Sequence, residues 1–588
     1  MNGTASIAKV LGGCGVHNGM LYLRGVPEDF EEWGDYNTAS TPLFTNHAHA
    51  CFIMLLKYSE NHLSTQLGID GWDWDTVLQY YIKSENNADF AGNTSVHGNS
   101  GPMGVTKVDS IDPMAAVFYE ACNKSALAYQ DDFNDGNRTG CGQYQFNIRG
   151  GMRDSAAAAY LGRTNASSRP NLTIKLGSTA TKIEVEANST TATGVYYSSQ
   201  FTPTWPDYLV KAKYEVILTA GAINTPKLLL LSGIGPAEDL TSLEIPVTAD
   251  IPGVGNNLHD APMTQVRWEI APPPPGVLPF NACKTAAQQL RPECVARLEE
   301  YNTNRSGQFA TPGISAGGFL VSPVSKALLG KPDIQITVLP SGQSWEVVES
   351  NATVMTWTLT LNNALSHGSV KLNNTKDPYA APLSWASYFE RTEDTDALLW
   401  AVKQVRGMAA VAPLKDYLWR ETLPGPEIST SNDTALREYI RCGPNFVHTA
   451  DVPCDTMVVN HFAGTCKMGD PYVDPDTVVD PVLRVTKVKN LRVADASVMP
   501  NLPSGNPHAT VVMVAERAAE FVLQAHAKRM AGSGDIEWSH LWKEALNPVG
   551  QKPATPNTPK ASTGLFGSID RGRHAPRVWS VWGKLVNR

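Results

Sequence analysis

The sequence of 588 residues lacks any long apolar run. A stretch such as 227–234 is far shorter than the roughly 20 residues a bilayer-spanning helix needs, so no membrane span is expected. Basic charge is not in excess either. Lys and Arg number 48 against 57 Asp and Glu, for a net charge of −9 and an isoelectric point near 5.8. No domain-wide basic face is left to gather phosphates, which argues against a nucleic-acid partner. No internal repeat, no metal-ligand cluster and no Gly-X-Gly-X-X-Gly loop occur; the last normally opens a dinucleotide-binding βαβ unit. Residues 1–10 lack the basic and then apolar segments of a secretory leader.

Other features belong to an oxidising compartment. Six of the nine cysteines form close pairs, Cys122/Cys141, Cys283/Cys294 and Cys442/Cys454, each bracketing a short polar loop that a disulfide would close. Asn-X-Ser/Thr acceptors stand at Asn2, Asn93, Asn123, Asn137, Asn165, Asn171, Asn188, Asn304, Asn351, Asn373 and Asn432. A secreted, extracellular glycoprotein is expected. Secreted character without a leader implies that the beginning of the protein lies upstream of Met1.

A chain this long exceeds one ordinary core, so two lobes, possibly interleaved, and a tail are expected. Residues 27–90 read as helices and loops, and the alanines of 151–164 as a short helix. Strands are predicted at 172–176, 182–185, 194–197 and 214–218. The last runs through Thr-Ala-Gly-Ala into a helix at 225–232, a step suited to a cofactor's phosphate or ribose edge. From about 262 short β-rich runs follow at 265–270, 317–321, 333–338, 354–361 and 369–372, the pattern of an inserted antiparallel sheet. A helix at about 391–410, a buried strand at 491–494 and a helix at 507–523 come next. Residues 548–563 have linker composition, and the basic end beyond them reads as a loosely packed tail.

Three segments carry the chemistry: 460–469 with His461, 490–497 with Asp495 and Ala496, and 503–510 with Asn506, His508 and Ala509. Oxidising an alcohol needs a base for the hydroxyl proton while hydride leaves the carbon. A neutral His is suited to that task. A second side chain must hold the oxygen as it becomes an alkoxide. His461 and Asn506 are the candidates. Asn506 precedes a helix whose free N–H groups and positive dipole end favour developing negative charge. Asp495 follows a buried strand, from which its carboxylate meets ribityl or ribose hydroxyls or helix-end N–H groups.

These blocks, with Gly221-Ala-Ile-Asn-Thr-Pro-Lys-Leu-Leu-Leu-Leu-Ser-Gly-Ile-Gly235 and Ile251-Pro-Gly-Val-Gly-Asn-Asn-Leu-His-Asp260, occur in the order found in glucose–methanol–choline (GMC) oxidoreductases. The chain resembles that family over about residues 8–526. The resemblance implies an α/β plus α+β fold: a Rossmann-like FAD-binding domain lacking its first βαβ unit, with an inserted antiparallel-sheet substrate domain. The expected division is 1–261 for the FAD domain, 262–455 mainly for substrate, 456–530 for the FAD domain again, and 531–588 for linker and tail.

The resemblance further implies FAD as cofactor, His461 as base and Asn506 as its partner. Asp495 and Ala496 would stand near the phosphate–ribityl portion, His508 and Ala509 near the pyrimidine edge, and Ala222 by the adenine side. A small-molecule alcohol, polyol or sugar is the implied substrate, with O2 or a quinone as electron acceptor. Alternatives are a flavin-less secreted relic, or family members of other chemistry such as a lyase or photodecarboxylase.

Two departures stand out. Without the Gly-rich βαβ unit, FAD affinity of this chain is expected to be weak. In the loop Gly12-Gly13-Cys14-Gly15-Val16-His17-Asn18-Gly19 a His precedes the Asn. Related enzymes place a His there and bond it to the flavin, so His17 is a candidate covalent attachment point. Gly12, Gly13, Asn18 and Gly19 would contact the cofactor, and Cys14 reads as a buried small residue. No role is attached to Asp260.

Overall fold

The computed structural model describes residues 8–34, 69, 71–109, 112–125, 127–199, 208–271, 290–339, 353–443 and 456–531. The linker and tail, with Cys51, Cys283 and Cys454, lie outside the described residues.

Alternation of side chains builds the larger sheet. Its six antiparallel strands run in the order Leu418–Leu423, Met263–Ile270, Val354–Leu361, Ile334–Leu339, Ala316–Leu320 and Gly140–Gln143. On one face Val266, Trp268, Trp357, Leu359, Ile336 and Val338 bury against Leu398, Val402 and Val405 of the helix Thr392–Ala409. On the other face the same strands present Gln265, Thr358, Thr360 and Gln335, which are also buried. A sheet with one apolar and one polar face ordinarily turns the polar one to solvent. Here that face meets the second lobe, through Gln335 and Asn506.

That second lobe centres on a parallel pair, Val216–Leu218 with Leu491–Val493, in register Val216↔Leu491. Parallel strands need cover on both faces, and Leu491 and Val493 share a core with Leu229, Val514 and Phe521. The strand at 216–218 leads into the helix Gly221–Leu231, where Gly221 takes φ +82° at the turn. The 23-residue helix His508–Met530 packs on the helix Trp74–Ser84, joined by the Tyr81 and Thr510 hydroxyls at 2.7 Å. Among the described residues no helix is long and apolar enough to cross a membrane.

Several expectations shift. Residues 172–176 form no strand; the first strand there is Ser178–Glu186, because Pro170 and the turn at Gly177, with φ +61°, keep the preceding residues out of extended pairing. The alanine segment narrows to a wide-wound turn at Ala157–Gly162. The domain boundaries also interleave more than 1–261 and 262–455 allow. Gly140–Gln143 pairs with Ala316–Leu320 in the substrate sheet, and Met114 and Phe118 bury in that sheet's core. Conversely Gly368–Lys371 pairs with Asn256–Leu258, and Val370 packs with Ile223 beside the parallel pair. Cys122 and Cys141 are bonded, tying the helix Pro113–Lys124 to that edge strand. Cys294 and Cys442 are disulfide-bonded as well. Cys14 is exposed rather than buried, since its short helical turn lies at the surface.

Candidate active site

The loop 460–469 is laid along 496–498 by main-chain bonds from Gly464 to Ala496, Cys466 to Ser497 and Met468 to Val498. Its first residues are then fixed from the opposite side. The His461 N–H donates to Asp260 Oδ1 at 2.6 Å, and Asp260 also accepts from the Tyr388 hydroxyl at 2.5 Å and the Ala261 N–H at 2.8 Å. Asp260, to which the sequence attached no role, is therefore the anchor of the His461 backbone. Burial pushes its carboxyl up to about 6.

His461 Nε2 and Asn506 Nδ2 lie 3.1 Å apart, although the two residues are 45 positions apart in the chain. Exclusion of water pushes the His461 imidazole down to about 4, so it is neutral at ordinary pH. Asn506 does not cap the helix that follows, which begins after Pro507 without a side-chain cap. Its Oδ1 instead accepts from Gln335 Nε2 at 3.1 Å. Gln335 also stands beside the Tyr144 hydroxyl, whose own proton goes to the Ile336 carbonyl at 2.6 Å. Only an N–H of Gln335 fits that oxygen, and this sets the amide's sense. Asn506 consequently turns its NH2 toward His461, whose Nε2 must present a lone pair. The two side chains therefore meet as hydrogen-bond donor and acceptor.

Asn506 is held in place from behind. The Ser504 N–H and hydroxyl donate to the two oxygens of Asp29 at 2.8 and 2.7 Å. Buried Arg138 donates to the Ser504 carbonyl, and Lys331 Nζ neutralises Asp29 at 3.1 Å. A Cβ on Gly505 would stand 2.7 Å from Arg138 Nη1, so a larger residue here would push the guanidinium away from the Ser504 carbonyl.

The predicted flavin-contacting residues divide into two groups. The loop 12–19 and the helix start at 508 meet: a Cβ on Gly15 would lie 2.8 Å from His508 Nε2. Gly12 and Gly13 take φ +94° and +58°, and a Cβ on Gly13 would meet nothing within 4 Å. Arg153 pins the loop through Asn18 Oδ1 at 2.7 Å, and Asn18 also accepts from Met20 N. His508 Nε2 is buried without a hydrogen-bond partner, and burial pushes its ring down to about 4. An orphaned buried nitrogen beside a glycine turn and a helix N-terminus fits a ring system edged with hydrogen-bonding atoms, such as a flavin. His17 and Gly19 are exposed, and Ala509 is buried in the core.

Asp495 belongs to the other group and needs a correction. Its Oδ2 accepts from Gly221 N and Thr225 Oγ1 at 2.8 and 2.6 Å, and its Oδ1 from Ser497 N and Oγ at 2.9 and 2.6 Å. Four donors use the carboxylate's capacity, so Asp495 ties the helix start to the 496–498 turn and has no site left for a cofactor hydroxyl. Likewise the Ala222 carbonyl is taken by Thr465 Oγ1 at 2.5 Å. Ala496 gives its carbonyl to Gly464.

The sequence reading missed Gln335, Asp260, Asp29 and Arg138. Their partners lie 171 to 475 residues away, and no local pattern marks such pairs.

Family models described as GMC oxidoreductase match residues 57–263 and 364–515. The chain is 31% identical to the chloroplastic fatty acid photodecarboxylase of Chlamydomonas reinhardtii, over 87% of this chain and 77% of that protein. It is also 31% identical to glucose dehydrogenase [FAD, quinone] of Drosophila melanogaster, over 88% and 74%. Among solved structures, a formate oxidase of Aspergillus oryzae RIB40 superposes with TM-score 0.73 at 22% identity, covering 89% of this chain and 85% of that one. With a paired His and Asn at the junction of its two lobes and this agreement along most of its length, the chain belongs to the GMC oxidoreductase family.

Proposed function

We propose that this chain, an FAD-dependent oxidoreductase of CH–OH donors, takes the hydroxyl proton of a small alcohol, polyol or sugar on His461 Nε2. The observation that carries this is the 3.1 Å approach of Asn506 Nδ2 to His461 Nε2. Bound FAD supplies the hydride acceptor. Asn506 Nδ2 donates to the substrate oxygen as negative charge grows there. His461, neutral because burial holds its value near 4, receives the proton from the same oxygen. Asp260 and Gln335 keep the two groups in their places. The test is a panel of alcohols, assayed with both O2 and a quinone dye as acceptor. Turnover that survives His461→Ala unchanged would refute the assignment.

The proposal extends to His17 as the flavin's covalent attachment point. Its support is an exposed imidazole on the loop that meets His508. Flavin fluorescence on the denatured protein band tests it, and loss of that signal in the native sequence would remove it.

We also place the protein in the secretory pathway. All nine sequon asparagines among the described residues are exposed, whereas of the seventeen other described asparagines only Asn99, Asn256, Asn302, Asn374 and Asn460 are. A random set of asparagines would share the second distribution. Four disulfide-bonded cysteines among the described residues, Cys122, Cys141, Cys294 and Cys442, fit the same compartment. Secreted material whose mass does not fall on endoglycosidase treatment would contradict the reading.

A further inference from the structure

The covered polar face of the six-stranded sheet carries more hydrogen-bonding capacity than the catalytic pair uses. In antiparallel pairing, residues directly opposite each other share a face. Gln335 pairs with Thr360, and one step along, Thr337 pairs with Thr358, which pairs in turn with Gln265. These five side chains therefore project from the same face. Gln335 reaches Asn506 from it, so the face is turned to the catalytic pair. Strand spacing puts Thr358 about 8 Å and Gln265 about 12 Å from Gln335, backbone to backbone.

Both amide atoms of Gln265 and the hydroxyl of Thr358 are buried without a hydrogen-bond partner, at 0% and 6% exposure. Polar groups in that state ordinarily find partners, and each one left unpaired weakens a state by roughly ten- to a hundred-fold. Three unpaired atoms on one wall, one step beyond the catalytic pair, call for a ligand that supplies both donors and acceptors. An alkyl chain supplies neither. A primary amide offers one acceptor and one donor side by side, which matches two adjacent hydroxyls: one donates to Oε1 while the other accepts from Nε2.

We propose that Gln265 and Thr358 form a subsite for the non-reacting hydroxyls of a polyhydroxylated alcohol, a sugar or polyol, whose reacting hydroxyl lies at His461 and Asn506. The inference rests on the assignment of that pair. Sites built to hydrogen-bond a hydroxyl discriminate strongly against analogues without it. An apolar alcohol against this wall would leave all three atoms unpaired.

The experiment uses the full chain loaded with FAD. It compares kcat/KM for hexoses and hexitols with that for 1-hexanol and benzyl alcohol, in the native sequence, in Gln265→Leu and in Thr358→Val. The native protein should prefer a polyol at least a hundred-fold. Gln265→Leu should cut kcat/KM for the polyol thirty- to a hundred-fold, mostly through KM, while leaving 1-hexanol unchanged or improved. Thr358→Val, close in shape to the native residue, should cost the polyol about ten-fold and decides the matter if Gln265→Leu does not fold. Preference for 1-hexanol or benzyl alcohol, or a polyol-to-hexanol ratio unmoved by both variants, overturns the subsite while leaving His461 as base. Absence of turnover with every alcohol overturns the underlying assignment, and the subsite with it.

Discussion

Replacing Gln335 by Glu changes the shape of the side chain hardly at all, yet should reverse the amide on which the reaction depends. An ionised Glu has no hydrogen to give. Asn506 would then turn its NH2 toward residue 335 and its carbonyl toward His461 and the substrate oxygen. The substrate loses the one donor aimed at its growing negative charge, a loss of about 3–4 kcal/mol, or 10²–10³ in kcat. A second effect follows from charge. The carboxylate would stand on the order of 8 Å from His461 Nε2, across two 3.1 Å hydrogen bonds and one amide. At an effective dielectric of about 20 that interaction is worth about 2 kcal/mol, or ~1.5 pH units. Because it favours the imidazolium, it raises His461 from about 4, and the acid limb of kcat/KM moves to higher pH by that amount. Gln335→Met, which removes the donor without adding charge, should lower kcat by about ten-fold at most and leave the limb in place. Steady-state pH profiles of the three proteins read both effects. A Gln335→Glu enzyme within three-fold of the native kcat, with its acid limb unmoved, would refute the orientation described here.

Other consequences are equally direct. Ser504→Ala removes the one hydroxyl proton that Asp29 and the Asn363 carbonyl oxygen can accept; it should lower stability by about 1–2 kcal/mol and kcat several-fold, and an unchanged kcat would show that the clamp does not position Asn506. His367 is held by burial at about 4 rather than its usual 6.5. The unfolded chain therefore binds the proton first, and native stability falls as pH drops from 6.5 toward 4 by up to ~1.4 kcal/mol per unit from this group alone. His367→Gln should lack that term, so urea denaturation at pH 7 and pH 5 should show a smaller loss in the variant; parallel losses would contradict a neutral His367. Cys122 and Cys141 close a separation of 19 residues, and Cys122→Ser with Cys141→Ser should cost about 3 kcal/mol, read as a lower denaturation midpoint; an unchanged midpoint would mean the bond stabilises nothing.

Much of the scaffold follows from local pattern. The run 354–361 is a strand because Val, Met, Thr and Trp alternate without interruption, and its bounds are those the pattern predicts. The helix expected at about 391–410 is found as Thr392–Ala409. Both rest on interactions within a few residues. The interleaving of lobes does not. Gly140–Gln143 offers no strong strand signal, and only the neighbouring strand Ala316–Leu320 gives it hydrogen-bond partners.

The same division holds at the site. Residue chemistry alone marked His461 and Asn506, because a base and a hydrogen-bond donor are what alcohol oxidation demands, and the family resemblance fixed the pairing. Residue chemistry left Asp495 open between cofactor and helix end. Tertiary structure decided for the helix end, since four donors converge on the carboxylate and none is left over. Nor does any local rule say which way an asparagine amide points. That sense comes from Gln335, carried in on a strand of the other lobe. Sequence determines which groups are present and which helices and strands carry them. Their hydrogen-bond directions are settled only when segments hundreds of residues apart exclude water from one another and every buried donor must find its acceptor.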